Sequence, residues 1–268
     1  MINIALLGFG YWGKNLARNI NNSPDCNLMY ICEPIDDLSS QCKKHYPHVK
    51  VLANYEKILD DPKIDAVVIA TPVSTHYELA RASLEKNKHV LVEKPLTENS
   101  KTAHELCDLS KKKNKILMVD HTFLYTGAIE KIKELVEKKE IGVLQYIDSS
   151  RINLGLFQRD VNVIWDLAPH DLSICLHLFD KMPKSVQATG ISHLNNNMEN
   201  IAYMTLNYHE DFIAHFNFSW ISPVKVRKMM IGGNKKMIVY DDVEPTEKVK
   251  VYDSGITAPS SDNIDNFN

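Results

Sequence analysis

The sequence predicts an α/β chain in two parts, a doubly wound parallel sheet followed by an α+β region on an open, mainly antiparallel sheet. Three observations carry this reading. From residue 1 to about 120, short β-branched apolar runs alternate with longer segments of helical period, as expected of strands buried on both faces and joined by helical crossovers. After a helix at 126–138, the apolar runs lengthen and helical segments become scarce. The short polar turns His209-Glu210-Asp211 and Gly232-Gly233-Asn234-Lys235 then separate neighbouring strand-like runs, as hairpins require.

In the first part, strands are expected at 2–7, 28–32, 66–70, 89–92 and 116–119, with helices at 11–21, 36–46, 75–87 and 99–113. The second part carries strands at 143–151, 185–192, 201–208, 212–220, 228–231 and 236–239 and one helix near 170–179. The boundary falls at about residue 120, giving domains 1–120 and 121–268. The closing DSGITAPSSDNIDNFN is polar without apolar periodicity and reads as a loop or frayed tail.

Composition narrows the function classes. A chain of 268 residues can bury two modest cores. With 44% hydrophobic and 24% charged residues and a net charge of −3, it lacks the polyelectrolyte character that nucleic acid or an anionic membrane would select. The Lys111-Lys112-Lys113 cluster lies in a mixed-sign helical stretch and reads as a solvated face. Cysteines at 26, 32, 42, 107 and 175 are odd in number and form no CxxC pair, which argues against a disulfide framework or a structural zinc site. No metal is expected, and a reducing cytoplasm fits best. The apolar opening is too short for a membrane span and lacks a basic flank or small-residue cleavage site.

The most informative motif is Gly8-Phe9-Gly10-Tyr11-Trp12-Gly13, placed after an apolar strand and before a helical segment. Gly8 permits a tight turn, Gly10 lets the backbone approach a pyrophosphate, and Gly13 allows helix and strand to pack closely. The helix N-terminus offers amide hydrogens and partial positive charge to the phosphates. Glu33 follows Gly13 by 20 positions at the end of the second strand, where it is expected to accept the adenine ribose hydroxyls and repel a 2′-phosphate. The first domain is therefore a Rossmann domain, with NAD expected over NADP. The alternative is a glycine-rich turn with a surface Glu nearby.

Ligands of open parallel sheets bind beyond the carboxyl ends of the strands. Here those ends carry Thr71-Pro72-Val73-Ser74-Thr75-His76, Glu93-Lys94-Pro95 and Asp120-His121. Lys94 directly follows a buried strand, where its ammonium can orient or polarise a substrate oxygen. On position alone, a surface lysine at a strand end is the alternative. Thr71, Pro72, His76, Glu93 and His121 are candidates for the cofactor crevice, although either histidine can instead cap a helix or bridge backbone groups.

In the second domain, Trp165-Asp166-Leu167-Ala168-Pro169-His170-Asp171 introduces an apolar segment. If a helix begins there, Pro169 occupies its first turn, and Asp166 and His170, four apart, share a face. A carboxylate beside an imidazole stabilises its protonated form, so His170 can exchange a proton with a hydroxyl as hydride leaves the same carbon. The alternative makes Asp166 an N-cap and leaves His170 half-buried.

Taken together, GFGYWG, the Glu33 position, ATPVSTH, KHVLVEKPL and WDLAPHD resemble the Gfo/Idh/MocA family of sugar and cyclitol oxidoreductases, in order from residue 1 to about 240. The resemblance implies a Rossmann domain followed by an open-faced sheet, with nicotinamide and sugar meeting between them. It also implies a catalytic and positioning role for Lys94, acid–base chemistry for His170, and substrate contact for Asp166. GYWGKNLARN, VDHTFLY and NVIWDLAPHDLSI resemble the branch with UDP-N-acetylglucosamine 3-dehydrogenases. In that branch Arg151, Asn153, Arg159 and Asn162 are candidates for a substrate diphosphate or sugar hydroxyls, with solvated side chains as the alternative.

Two departures stand out. Thr126-Gly127 replaces the Asn-Pro frequent in relatives and is expected to alter the start of the following helix. Relatives also continue for some tens of residues further, so the second domain is expected to be C-terminally truncated. The expected activity is NAD-dependent oxidation of a ring carbon, C3, of a nucleotide-linked amino sugar, in a homo-oligomer, either dimer or tetramer. Keto-sugar reduction with NAD(P)H and a non-catalytic dinucleotide sensor are the rivals.

Overall fold

The computed structural model describes residues 1–155, 157–158, 160–193, 198–209 and 211–253. The chain divides into two compact units, Met1–Asp120 and His121–Asn268. Arg159, Glu210 of the first hairpin turn and the tail from residue 254 lie outside the described residues.

The first unit runs β1 (Ile2–Leu7), α1 (Tyr11–Asn22), β2 (Cys26–Cys32), α2 (Asp36–His45), β3 (Lys50–Leu52), α3 (Glu56–Leu59), β4 (Ala66–Ile69), α4 (His76–Glu85), β5 (His89–Glu93), α5 (Ser100–Lys113) and β6 (Leu117–Asp120). The six strands are parallel in the order β3-β2-β1-β4-β5-β6, the doubly wound arrangement whose strand order reverses between β1 and β4. Its β-branched strands are buried on both faces. Ala5, Leu7, Val67, Ile69 and Val92 join one apolar cluster, and Ile4, Leu6, Ile31 and Val68 join the other. β3 and α3 are additional to the elements expected from sequence; three and four residues long, they are too short to show a period.

The second unit runs α6 (Gly127–Glu137), β7 (Leu144–Leu154), α7 (Val163–Phe179), β8 (Ser185–Ile191), β9 (Ile201–Asn207), β10 (Ile213–Ser219), β11 (Ile221–Gly233), β12 (Met237–Asp241) and β13 (Val249–Tyr252). Its seven-stranded sheet has the order β13-β12-β11-β7-β10-β9-β8 and is antiparallel except for the pair β7–β10. β11 begins at Ile221, well before the expected 228–231, because its first half is largely solvent-facing and carries no buried apolar pattern; its register with β7 shifts between Ile221 and Val226. Pro223, which has no N–H to give a ladder, lies in that interval. One sheet face packs Ile147, Met204, Ala214, Phe216, Phe218, Met229, Ile231 and Ile238 against Ile129 and Ile132 of α6 and Ile174 and Cys175 of α7. The other face exposes Tyr146, Tyr203 and Ile213.

One helix start differs from expectation. α7 begins at Val163 and is capped by Asn162, whose Oδ1 accepts the Trp165 N–H at 3.2 Å. Asp166 is therefore inside the helix, and Pro169 lies in its interior rather than in its first turn. An asparagine cap outcompetes Asp166 because it precedes the first apolar helical residues, Val163 and Ile164. α6 starts at Gly127, within one residue of the expected 126, after Thr126, whose hydroxyl donates to the Phe123 carbonyl at 2.7 Å.

Candidate active site

In the first unit, the glycine turn shows three different demands on its backbone. Gly8 has φ +92°, and a Cβ there would lie 2.6 Å from the Ala70 carbonyl oxygen. A Cβ on Gly13 would lie 2.3 Å from the Gly8 carbonyl oxygen, whereas one on Gly10 would meet no atom within 4 Å. Gly10 is also the N-cap of α1 and supplies no side-chain cap to its amides. The loop is thus closed where strand and helix meet and open where a pyrophosphate would approach the helix N-terminus. These residues fit a dinucleotide.

Glu33 braces this loop. Its side chain is only 5% exposed, and its two carboxylate oxygens accept the N–H of Phe9 at 2.8 Å and of Ile35 at 3.0 Å. An anionic carboxylate oxygen has a second lone pair, so the clip does not preclude ribose hydroxyls as further donors. Phe9 is buried, whereas Tyr11 and Trp12 are exposed and meet edge to face with centroids 5.5 Å apart.

At the other strand ends, Thr71 and Pro72 form a local turn, with the Thr75 hydroxyl at 2.7 Å from both the Thr71 hydroxyl and the Pro72 carbonyl. His76, expected to face the cofactor, is instead 1% exposed. Its ring nitrogens bridge the carbonyls of Pro95 and Thr71 at 2.8 and 3.0 Å. The imidazole ties the loop holding Lys94 to the loop after β4, which is the backbone-bridging alternative.

Lys94 is half-buried and precedes a cis peptide to Pro95. Beside it, Glu93 pairs in register with Asp120 on the adjacent strand, and their carboxyls share a hydrogen bond. Burial first, then the Asp120 charge, push Glu93 up to about 7, against the opposing pull of Lys94. The only signal of Asp120 in the sequence is its place immediately after a strand.

In the second unit, Asp166 and His170 project from one face of α7, four residues apart. The Trp220 indole N–H donates to Asp166 Oδ2 at 3.0 Å, a tie across 54 residues of sequence that no local pattern reveals. The His170 and Phe123 rings meet edge to face with centroids 5.0 Å apart. His121 is half-buried and, with Pro169, Ser173, His177 and Lys133, lines a groove of about 830 Å³ between α6 and α7.

Two expected substrate contacts are committed elsewhere. Arg151 is 3% exposed, and its Nε and Nη2 donate to the two Asp171 carboxylate oxygens at 2.9 Å each. Position 151 falls on the inward face of β7 with Ile147 and Ser149, so the guanidinium is occupied in the core. Asn162 uses its oxygen to cap α7 and its amide nitrogen to bond Glu199 at 2.9 Å. Asn153 is half-buried near the end of β7.

A sheet reversing between β1 and β4, with an open glycine at a helix N-terminus, defines the chain as a dinucleotide-binding α/β protein with an α+β second unit. It belongs to the Gfo/Idh/MocA family. The model of the oxidoreductase family with an NAD-binding Rossmann fold matches residues 2–121, and that of the GFO/IDH/MocA C-terminal domain matches 129–239. Among relatives, the oxidoreductase YdgJ of Escherichia coli K12 is 32% identical over 66% of this chain and 54% of that protein. UDP-N-acetylglucosamine 3-dehydrogenase of Acidithiobacillus ferrooxidans is 31% identical over 63% of this chain and 53% of its own length. The scyllo-inositol 2-dehydrogenase (NADP⁺) IolW of Bacillus subtilis is 27% identical over 77% and 60%, respectively. The chain thus spans little more than half the length of these curated relatives. A protein of Magnetospirillum magnetotacticum MS-1 with a known crystal structure is similar with a TM-score of 0.85 at 27% identity, covering 96% of this chain and 82% of that one.

Proposed function

We propose that this protein is an NAD-dependent dehydrogenase that takes hydride from C3 of a nucleotide-linked amino sugar such as UDP-N-acetylglucosamine, leaving a keto sugar. The observation that carries the reading is the Asp166–His170 face of α7, with Asp166 held by Trp220, in a chain whose other unit has the open Gly10 loop. The relative named UDP-N-acetylglucosamine 3-dehydrogenase supports the substrate class.

Bound NAD⁺ supplies the hydride acceptor. Within the protein, Gly8, Gly10 and Gly13 shape the pyrophosphate loop, with Phe9, Tyr11 and Trp12 contributing its main chain. Glu33 takes the ribose hydroxyls while disfavouring a 2′-phosphate. Thr71, Pro72, Glu93 and His121 form the remaining cofactor surroundings, and His76 supports them by joining two loops. Lys94 orients the reacting oxygen, Asp166 binds the sugar and sets the charge at His170, and His170 or Lys94 takes the hydroxyl proton. Asn153 is retained as a sugar contact. His170→Asn should abolish most turnover while leaving NAD affinity intact; unchanged turnover at saturating sugar would remove His170 from the chemistry.

The reading includes a homo-oligomer formed through the sheet face that bears Tyr146, Tyr203 and Ile213. Light scattering should give a multiple of the chain mass, and Tyr203→Glu should lower it.

A further inference from the structure

The second unit contains a buried ion pair that the proposed chemistry does not use. Arg151 and Asp171 form a two-pronged bridge on the core side of β7 and α7. Asp171 is the immediate neighbour of His170. The Arg151 guanidinium also lies over the Phe123 ring, 4.6 Å from its centroid, and Phe123 meets the His170 ring at 5.0 Å with an interplanar angle of 74°. The Phe123 carbonyl is fixed in turn by the N–H and hydroxyl of Thr126, at 3.1 and 2.7 Å.

We propose that Arg151 and Asp171 are positioning residues for His170, acting through the ring of Phe123. The arrangement constrains His170 twice. Its backbone is anchored by the side chain of the next residue, and its ring packs edge to face with an aromatic ring that also carries the Arg151 guanidinium of the same ion pair. A bidentate guanidinium–carboxylate pair has little rotational freedom, and a cation above an aromatic face is attracted by the ring quadrupole. Together they restrain Phe123 and, through it, the ring of His170. Tyr240 and Asp242 also face Arg151 from the sheet, while Arg227 and Lys248 pair with Asp242. Each carboxylate of the cluster is thus paired with at least one cation, and the cluster acts on His170 through packing.

This inference rests on the proposed role of His170 in hydride transfer, but its test does not. The experiment uses the full chain with ¹⁵N-labelled histidine, the His170 ring signals being assigned by their absence from His170→Asn protein. Phe123→Leu removes the aromatic ring and keeps the ion pair, Phe123→Tyr keeps the ring, and Arg151→Lys keeps the charge and loses the fork. Phe123→Leu should shift the His170 ring signals and their titration midpoint and lower kcat about tenfold, since small misplacement of an acid–base group is costly. KM for the sugar and NAD affinity should remain unchanged, Phe123→Tyr should restore the wild-type titration, and Arg151→Lys should move it in the same direction as Phe123→Leu. A purely structural role would lower the Tm and leave the His170 titration where it was. Wild-type His170 signals in folded Phe123→Leu protein would overturn the proposal, and Arg151→Lys provides the same reading if that variant does not fold. Failure of the wild-type protein to oxidise any sugar would overturn the hydride-transfer reading alone, because the ring signals still decide whether Arg151 and Asp171 position His170.

Discussion

The carboxylate of Glu33 accepts the main-chain N–H of Phe9 at 2.8 Å, joining the end of β2 to the middle of the glycine turn. A residue expected only to meet the cofactor thus also shapes the loop that would hold it. Glu33→Gln leaves one acceptor oxygen for the two N–H groups of Phe9 and Ile35, and an orphaned buried donor costs about 1–3 kcal/mol. Urea unfolding should show a loss of that order together with weaker NAD binding and reduced preference for NAD over NADP. Unchanged stability and affinity would show that the clip is dispensable.

The three glycines separate folding from binding. Gly8→Ala forces a side chain into φ +92° against the Ala70 carbonyl, and Gly13→Ala collides with the Gly8 carbonyl. Each should lose about 1–3 kcal/mol of stability. Gly10→Ala meets open space, so its Tm should hold while NAD affinity falls, as calorimetric titration can measure.

Glu93 gives the first unit a pH dependence of definite sign. Its folded-state value is raised to about 7 from an ordinary 4.5, so between those values the unfolded chain releases a proton that the folded chain keeps. Stability therefore falls as pH rises from about 4.5 to 7 and this contribution levels off above that window. Glu93→Gln should flatten the dependence, and Asp120→Asn should reduce it by removing the second-largest cause. Thermal unfolding across pH 4–8, in the window set by these values, checks both expectations.

Trp220 should matter to turnover although it carries no acid or base. Trp220→Phe preserves most of the buried ring and removes the N–H donated to Asp166. A hydrogen bond to a charged group contributes about 1.5–3 kcal/mol, so kcat should fall by at least roughly tenfold if that bond is needed in the transition state. In an Asp166→Ala background, which lacks the acceptor, the same change should have a much smaller effect. Equal effects in both backgrounds would separate Trp220 from Asp166.

The parallel unit was legible because its demands are written in residue types. Strands buried on both faces need continuous β-branched runs such as Ala66–Ile69, and the glycine turn needs missing side chains at Gly8 and Gly13. The strand-end residues Thr71, Lys94 and Asp120 followed from the same strand positions. Less of the second unit could be read because its key ties are long-range. Nothing local distinguishes an arginine destined for a core ion pair from a solvated one, yet Arg151 meets Asp171 across β7 and α7. Likewise, Asn162 rather than Asp166 caps α7 because the helix starts earlier than its proline suggested, and Trp220 reaches Asp166 from a distant strand end.

Hydride transfer is decided by following nicotinamide absorbance while the purified protein is offered NAD⁺ or NADP⁺ with a panel of nucleotide-linked and free sugars and inositols. NAD⁺ reduction with UDP-N-acetylglucosamine, a 3-keto product, little activity with NADP⁺, and loss of the signal in His170→Asn protein are expected. NAD binding without reduction by any member of the panel, or the same rate after loss of His170, would contradict the proposed function.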